Sequence, residues 1–371
     1  MKTFYLKTKV FVGSDSMEAL LGLKNKTIWI ICDGFLEHSG GLRHVTEHLD
    51  ASNRVEIYTD VVPDPPLESV IEGVHIMNRL RPDVVIALGG GSAIDTAKGI
   101  IYFSKKMDVH VESFVAIPTT SGTGSEVTSV TVITDTQNTT KLPIKDKDIT
   151  PDIAILDPKF TLSVPYDVTA NTGIDVLTHA IEAYVAQGAT LCSDGMAEKA
   201  IHLVVEYLPK CCQELHNEYF REVMHNASTM AGMAFDIAGL GLNHSIAHQI
   251  GAHFKIPHGL ANGMLLPHVI EYNNSHSLTA SAKYARLARL IGVVNNLSPD
   301  YLAVNALSKA FTRLMQQLKM PTSLMEFGLT KEQIIPYASA IADQALTDIC
   351  LTANPCQVTH EDVVKIVIKL I

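Results

Sequence analysis

Four of the chain's sixteen histidines, His244, His248, His253 and His258, fall in the single stretch Leu242–Gly259, LNHSIAHQIGAHFKIPHG. Imidazole is the commonest metal ligand and the side chain that most readily exchanges a proton near neutral pH, so the stretch suits a metal site, a proton relay or both. In NTGIDVLTHAIEAY, Asp175 and His179 stand four apart on a helical pattern, which stacks them one turn apart on one face. His244 and His248 repeat that spacing. Pro257 restarts the chain, so that His258 opens a new helix, HGLANGMLLPHVI. One carboxylate oxygen with two or three imidazole nitrogens suits a borderline divalent ion such as Fe²⁺ or Zn²⁺ and leaves a coordination position for a substrate oxygen. Any one of these histidines taken singly is ordinarily a core or surface residue, and it is the repeated Asp/His spacing that argues against that. Spacing does not choose between His244 and His248, because both face the same way.

A second group of motifs lies in the first half. In VVIALGGGSAIDTAKGI (Val84–Ile100) an apolar strand runs into Gly89, Gly90 and Gly91, and Ser92 opens a helix. Glycines let the backbone approach a ligand, and the N–H groups and dipole of a helix start favour a pyrophosphate. The pattern is not G-x-G-x-x-G, since Ile94 stands at the last glycine position, and a plain strand-to-helix turn competes with the phosphate reading. In IPTTSGTGSEVTSVTVITD (Ile117–Asp135), Thr119, Thr120, Ser121, Thr123 and Ser125 crowd a strand end. Hydroxyls there can grip phosphate or ribose, or belong to a Ser/Thr-rich hairpin. Asp33 closes TIWIICD, where a carboxylate can accept from an adenosine ribose and repel a 2′-phosphate, favouring NAD over NADP; starting a turn before Gly34 is the plainer role.

These residues must be positioned by a chain of 371 residues, which suggests two domains and the cleft that two domains offer. From Lys26 to about Leu156, β-branched runs (TIWIICD, RVEIYTD, DVVIALGGG, SFVAIPTT, IAILDP) alternate with helical stretches, the signature of a doubly wound parallel sheet. After Ser163–Pro165 the texture becomes long helical patterns. The expected architecture is an α/β, Rossmann-like dinucleotide-binding domain over residues 1–165 and an all-α metal-binding domain over 166–371. The opening MKTFYLKTKVFVG alternates like an edge strand and lacks a signal peptide's apolar centre.

Composition narrows the function. With 47% hydrophobic and 18% charged residues the chain reads as a well-buried globular protein, and a net charge of −10 argues against nucleic acid as the partner. No apolar run reaches bilayer length, so no membrane span is expected. The six cysteines form neither a CxxC pair nor a dense framework, which fits a reducing cytoplasm.

The whole set, GGGSAIDTAK, PTTSGTGSEVT, GIDVLTHAIEAY and PHGLAN…LLPHVI, resembles the iron-containing, or group III, alcohol dehydrogenases over almost the entire chain. The resemblance implies metal ligands at Asp175, His179, His244 and His258, and a histidine beside the nicotinamide at His248. It implies NAD(H) contacts from Asp33, Gly89, Gly90, Gly91, Ser92, Asp95, Thr119, Thr120, Thr123 and Lys141. It gives His253 no role. Iron is the ion it implies, with Zn²⁺ also chemically suitable. Within the family, NKTIWIICDGFLEHS and GLGLNHSIAHQIG are most similar to members that reduce propionaldehyde to 1-propanol inside 1,2-propanediol-degrading bacterial microcompartments. That similarity implies shell proteins and a CoA-dependent aldehyde dehydrogenase as partners, and a homodimer or larger homo-oligomer. One departure is Cys356, which stands after Asn354-Pro355 where an arginine is expected. Two rivals remain: another family substrate (ethanol, lactaldehyde or 1,2-propanediol, 1,3-propanediol, butanol), and an NAD-using lyase of the dehydroquinate-synthase type. The lyase needs a basic pocket, and the ligand-bearing stretches offer chiefly Lys255.

Overall fold

The computed structural model describes residues 3–136 and 140–371. Contacts divide the chain into two units, one containing Leu6–Val164 and His216–Gly232, the other Pro165–Leu215 and Met233–Ile371.

The first unit is built on six parallel strands. These are β1 (Lys9–Val12), β2 (Thr27–Ile31), β3 (Arg54–Tyr58), β4 (Val84–Gly89), β5 (Ser113–Pro118) and β8 (Ile153–Leu156), in the order β1-β8-β5-β4-β2-β3. β6 (Val130–Asp135) and β7 (Thr140–Lys145) form a separate antiparallel pair. β1 takes the sheet edge expected of the opening residues, with Lys9 in register with Ile153. The central strands read as continuous apolar runs because both sheet faces are covered. Alternation assigns their residues: Ile28, Ile30, Ile86 and Leu88 join a core with Met17, Leu20, Leu36, Leu42 and Val45, whereas Trp29, Ile31, Val85 and Ala87 join another with Val70, Met77, Ile94 and Ile100.

One stretch beyond Pro165 belongs to this α/β unit. The helix Glu218–Ala238 lends its first part to it through Arg221, which donates to the Val164 carbonyl at 2.7 Å, and Thr229, whose hydroxyl donates to Glu126 at 2.6 Å. The division read from the sequence has no such excursion, since long-range polar docking leaves no trace in a helical pattern.

The second unit is helical. Its central helix, Tyr166–Val185, is buried over most of its length. The helices Leu242–Phe254 and His258–His276 pack near it. Gly259 permits the closest approach: a Cβ there would lie 1.9 Å from the Asn171 carbonyl oxygen and 3.2 Å from the Asp175 Cβ. The absence of a side chain at Gly259 thus brings His258 beside Asp175. No helix among the described residues is long and apolar enough to cross a membrane.

Candidate active site

In the α/β unit, β2 and β4 are neighbours whose following connections turn to opposite faces of the sheet. Leu36 and Leu42 pack with Ile28 and Ile30, while Ala93 and Ile94 pack with Trp29 and Ile31. Open α/β sheets receive ligands at such a divergence, beyond the carboxyl ends of the strands. Asp33 and Gly89 stand there. Asp33 Oδ1 accepts the Leu36 N–H at 3.2 Å, so the residue does cap the turn, while Oδ2 lies 3.8 Å from the position of a Cβ on Gly89. Gly89 has φ +150°, and a Cβ there would meet that of Ala93 at 2.6 Å. Gly90 puts no side chain over the first turn of the helix Gly91–Lys105, which Ser92 continues, and this leaves the helix start suited to a phosphate.

The hydroxyl-rich loop lies on these glycines. Thr119 N–H donates to the Gly89 carbonyl at 3.0 Å, Thr120 Oγ1 is 3.3 Å from the Cβ position of Gly90, and Thr123 Cγ2 is 2.7 Å from that of Gly91. The other two expected contacts have partners of their own. Asp95 accepts the Ser125 hydroxyl at 2.6 Å and the Val132 N–H at 3.1 Å; burial pushes its carboxyl up, opposed by Lys98 and these donors. Lys141 is exposed on β7 and paired with Asp64. Ser121 is bound to His225 at 2.8 Å, and the opposite ring nitrogen lies 3.1 Å from the Pro118 carbonyl. A carbonyl requires a donor, so Nε2 carries the proton and Nδ1 accepts the Ser121 hydroxyl. Burial and the neighbouring Arg221 hold His225 down at about 4, against the Pro118 hydrogen bond.

In the helical unit, Asp175, His179, His244 and His258 come together with one donor atom from each, all within 4.8 Å of one another. Asp175 Oδ1 lies 3.8 Å from His244 Nε2 and 3.6 Å from His258 Nε2, and Asp175 Oδ2 lies 4.0 Å from His179 Nδ1. The His179 and His244 rings stack at 4.5 Å. Three members are buried, and His258 is the exposed one. Burial, then repulsion from His179, His258 and His248, drives His244 well below the ordinary histidine range, so its imidazole is neutral, as a ligand must be.

Three residues that sequence reasoning did not single out complete this centre. Buried Glu182 accepts His244 Nδ1 at 2.5 Å and the Asn243 N–H at 2.7 Å. Asn262 Nδ2 donates to Asp175 Oδ1 at 2.7 Å and stands 3.2 Å from His244 Nε2 and 3.1 Å from His258 Nε2. Acceptor atoms from three ligand candidates thus converge on one donor, the arrangement a cation satisfies, and the donor set fits a divalent ion. Asp348 Oδ2 holds His248 Nδ1 at 2.7 Å; burial alone would raise this carboxyl, but His248 and the Cys350 N–H keep it below its ordinary value. Glu182 follows His179 by three positions and Asn262 follows His258 by four, so helical spacing could have marked both. Asp348 is a hundred residues from His248 and carries no local signal.

His248 lies outside the four-residue cluster and stacks on His258 at 5.3 Å. His253 turns instead to Gln344 and Tyr337. Where an arginine was expected, the Cys356 thiol contacts Asn273 at 3.3 Å, while Asn354 accepts the Leu242 N–H at the start of the histidine-bearing helix.

Comparison with known proteins places this architecture. The model described as iron-containing alcohol dehydrogenase matches residues 7–158, and the C-terminal model of the same family matches residues 169–371. The chain belongs to the iron-containing alcohol dehydrogenase family and is an NAD-dependent alcohol dehydrogenase, with a four-residue cluster suited to the metal for which the family is named. It is 46% identical to the 1-propanol dehydrogenase PduQ of Citrobacter freundii, over 96% of each chain, and 44% identical to that of Salmonella typhimurium, over 100% of each. A crystal structure of a 1,3-propanediol oxidoreductase superposes with a TM-score of 0.92 at 31% identity, covering 100% of both chains. The lyase alternative falls with the family assignment.

Proposed function

We propose that this protein reduces propionaldehyde to 1-propanol with NADH and runs the reverse oxidation with NAD⁺. The observation that carries this reading is the full-length similarity to two 1-propanol dehydrogenases. Asp175, His179, His244 and His258 would hold the iron, and Asp33, Gly89–Ser92, Thr119, Thr120 and Thr123 the dinucleotide, while Asp95 would act through the Ser125 hydroxyl it accepts. When bound, the ion supplies a Lewis acid for the carbonyl and the dinucleotide supplies hydride.

The remaining chemistry belongs to side chains. Glu182 fixes the His244 tautomer by taking Nδ1–H, which turns the Nε2 lone pair toward the other ligands. Asn262 grips Asp175 so that its carboxylate keeps one orientation. Asp348 holds His248 by Nδ1, so Nε2 is the nitrogen that passes a proton to the product oxygen, directly or through water. The finer setting we propose is a bacterial microcompartment lumen within the cytoplasm, with shell proteins and a CoA-dependent aldehyde dehydrogenase as neighbours and a homo-oligomer as the working form.

Following NADH at 340 nm with acetaldehyde, propionaldehyde, butyraldehyde and lactaldehyde tests the substrate. Propionaldehyde should give the highest kcat/KM. A clear maximum at another aldehyde would overturn the proposed substrate.

A further inference from the structure

The helix that begins at the glycine turn carries a lysine that the reaction does not use. Lys98 has 0% exposure, and its ammonium donates to Ser125 Oγ at 3.0 Å, Thr128 Oγ1 at 3.0 Å and the Val130 carbonyl at 2.9 Å. Burying an ammonium is costly unless opposite charge and hydrogen bonds meet it, and here these acceptors meet it, with the Asp95 and Glu126 carboxyls among its electrostatic neighbours. Ser125, Thr128 and Val130 lie in the strap from Ser125 to Val130, between the hydroxyl loop and β6.

The strap connects back to the glycines. Ser125 donates its hydroxyl to Asp95 at 2.6 Å and its N–H to Thr123 Oγ1 at 3.2 Å, and Thr123 covers Gly91. Asp95 and Lys98 stand three apart on the helix whose first turn faces the proposed phosphate position, so one helix both presents that turn and fixes the loop over it. We infer that Lys98 is a positioning residue for dinucleotide binding, holding Thr123 over the glycine turn through Ser125. This rests on reading the glycine turn and hydroxyl loop as the NAD(H) site.

The test compares the unmodified iron-loaded enzyme with Lys98→Met, Lys98→Arg and Gly91→Val, measuring the NADH Kd by fluorescence titration together with iron content, Tm, kcat and KM for each substrate. Lys98→Met leaves buried acceptors unpaired and should raise both Kd and KM for NADH about tenfold. Saturated kcat, KM for aldehyde and iron content should stay within about twofold, and Lys98→Arg should recover part of the affinity. A merely structural lysine would lower Tm and leave NADH affinity unchanged, which would overturn the inference. If Lys98→Met does not fold, Ser125→Ala and Thr128→Val serve instead: a weakening of about threefold supports the inference, and unchanged Kd in both overturns it. Gly91→Val should lose NADH binding whatever Lys98 does. Intact binding there would overturn the site reading, and the Lys98 inference with it.

Discussion

Glu182 and His244 meet carboxylate to imidazole at 2.5 Å, with both side chains shut away from solvent. The same carboxylate accepts the Asn243 N–H and lies 3.3 Å from the His244 N–H, so it also caps the start of the helix Leu242–Phe254. One side chain therefore sets both the position of the helix and the tautomer of its ligand. Burial pushes the Glu182 carboxyl up to about 8, against the backbone N–H groups of Asn243, His244 and Gly241, so its charge depends on a cation held beside His244; Glu182→Gln keeps an acceptor and can never carry that charge. Metal affinity, measured by competition with a chelator, should fall about 10- to 100-fold. Affinity equal to that of the unmodified protein would remove Glu182 from the metal centre.

The ligands and the proton carrier should separate on mutation. Asp175→Ala and His258→Ala should abolish bound metal and activity together. His248→Ala should keep most of the metal and lose rate on the order of a hundredfold, the range for a positioned acid–base group. Metal analysis of the purified variants decides it. If His248→Ala emptied the site while His244→Ala did not, the roles of the two helix neighbours would be exchanged.

Acid should weaken the hydroxyl loop's anchorage through His225. Its folded-state pKa, about 4, lies below the ordinary 6.5, so folding favours the neutral ring and its stabilisation is fully present above about 6.5. As pH falls from about 6.5 toward 4, the unfolded chain takes up a proton that the folded one refuses, and stability drops by on the order of 3 kcal/mol at most. His225→Gln should flatten that part of the curve in urea unfolding across this range. Parallel curves for the two proteins would contradict the assignment.

The contrast between these residues shows what was legible in the sequence. The central strands and their parallel, doubly wound class were readable, though not the strand order, because apolar runs between glycine turns report burial directly, and Asp175 and His179 were readable because both sit on one helix. Choosing His244 over His248 was not, since equal spacing gives both the same face; the difference comes from Glu182 and Asp348, which the fold brings in from other elements. The binding of Asp95 to Ser125 and the docking of Thr229 on Glu126 were likewise invisible, because such contacts depend on which loop the tertiary fold delivers.

Asp33 should decide between the two nicotinamide cofactors. Its Oδ1 is held by the Leu36 N–H and its Oδ2 lies toward Gly89, so a ribose 2′-phosphate bound at this turn would meet a fixed carboxylate. Like charges so placed cost several kcal/mol, equivalent to a preference for NAD(H) of about a hundredfold or more in kcat/KM. Asp33→Gly should narrow the gap, while also loosening the helix it caps. Equal efficiency with NADH and NADPH in the unmodified protein would remove Asp33 from this role.

Metal identity is the last test, because ligand chemistry and family membership pull in opposite directions. Three imidazoles and one carboxylate accept Zn²⁺, which stands above Fe²⁺ in the Irving–Williams order, so affinity alone favours zinc. Membership in the iron-containing family favours iron. Dioxygen distinguishes them, since Fe²⁺ with an open coordination position can be oxidised and Zn²⁺ has no redox chemistry. With Asp175 as the one anionic group among the four, the set is poorly matched to the higher charge of Fe³⁺. Enzyme purified without oxygen should reduce propionaldehyde, lose that activity in air, and regain it with Fe²⁺ plus a reductant but not with Zn²⁺. Air-stable activity accompanied by stoichiometric zinc would overturn iron as the working ion, while leaving the same four side chains to hold its replacement.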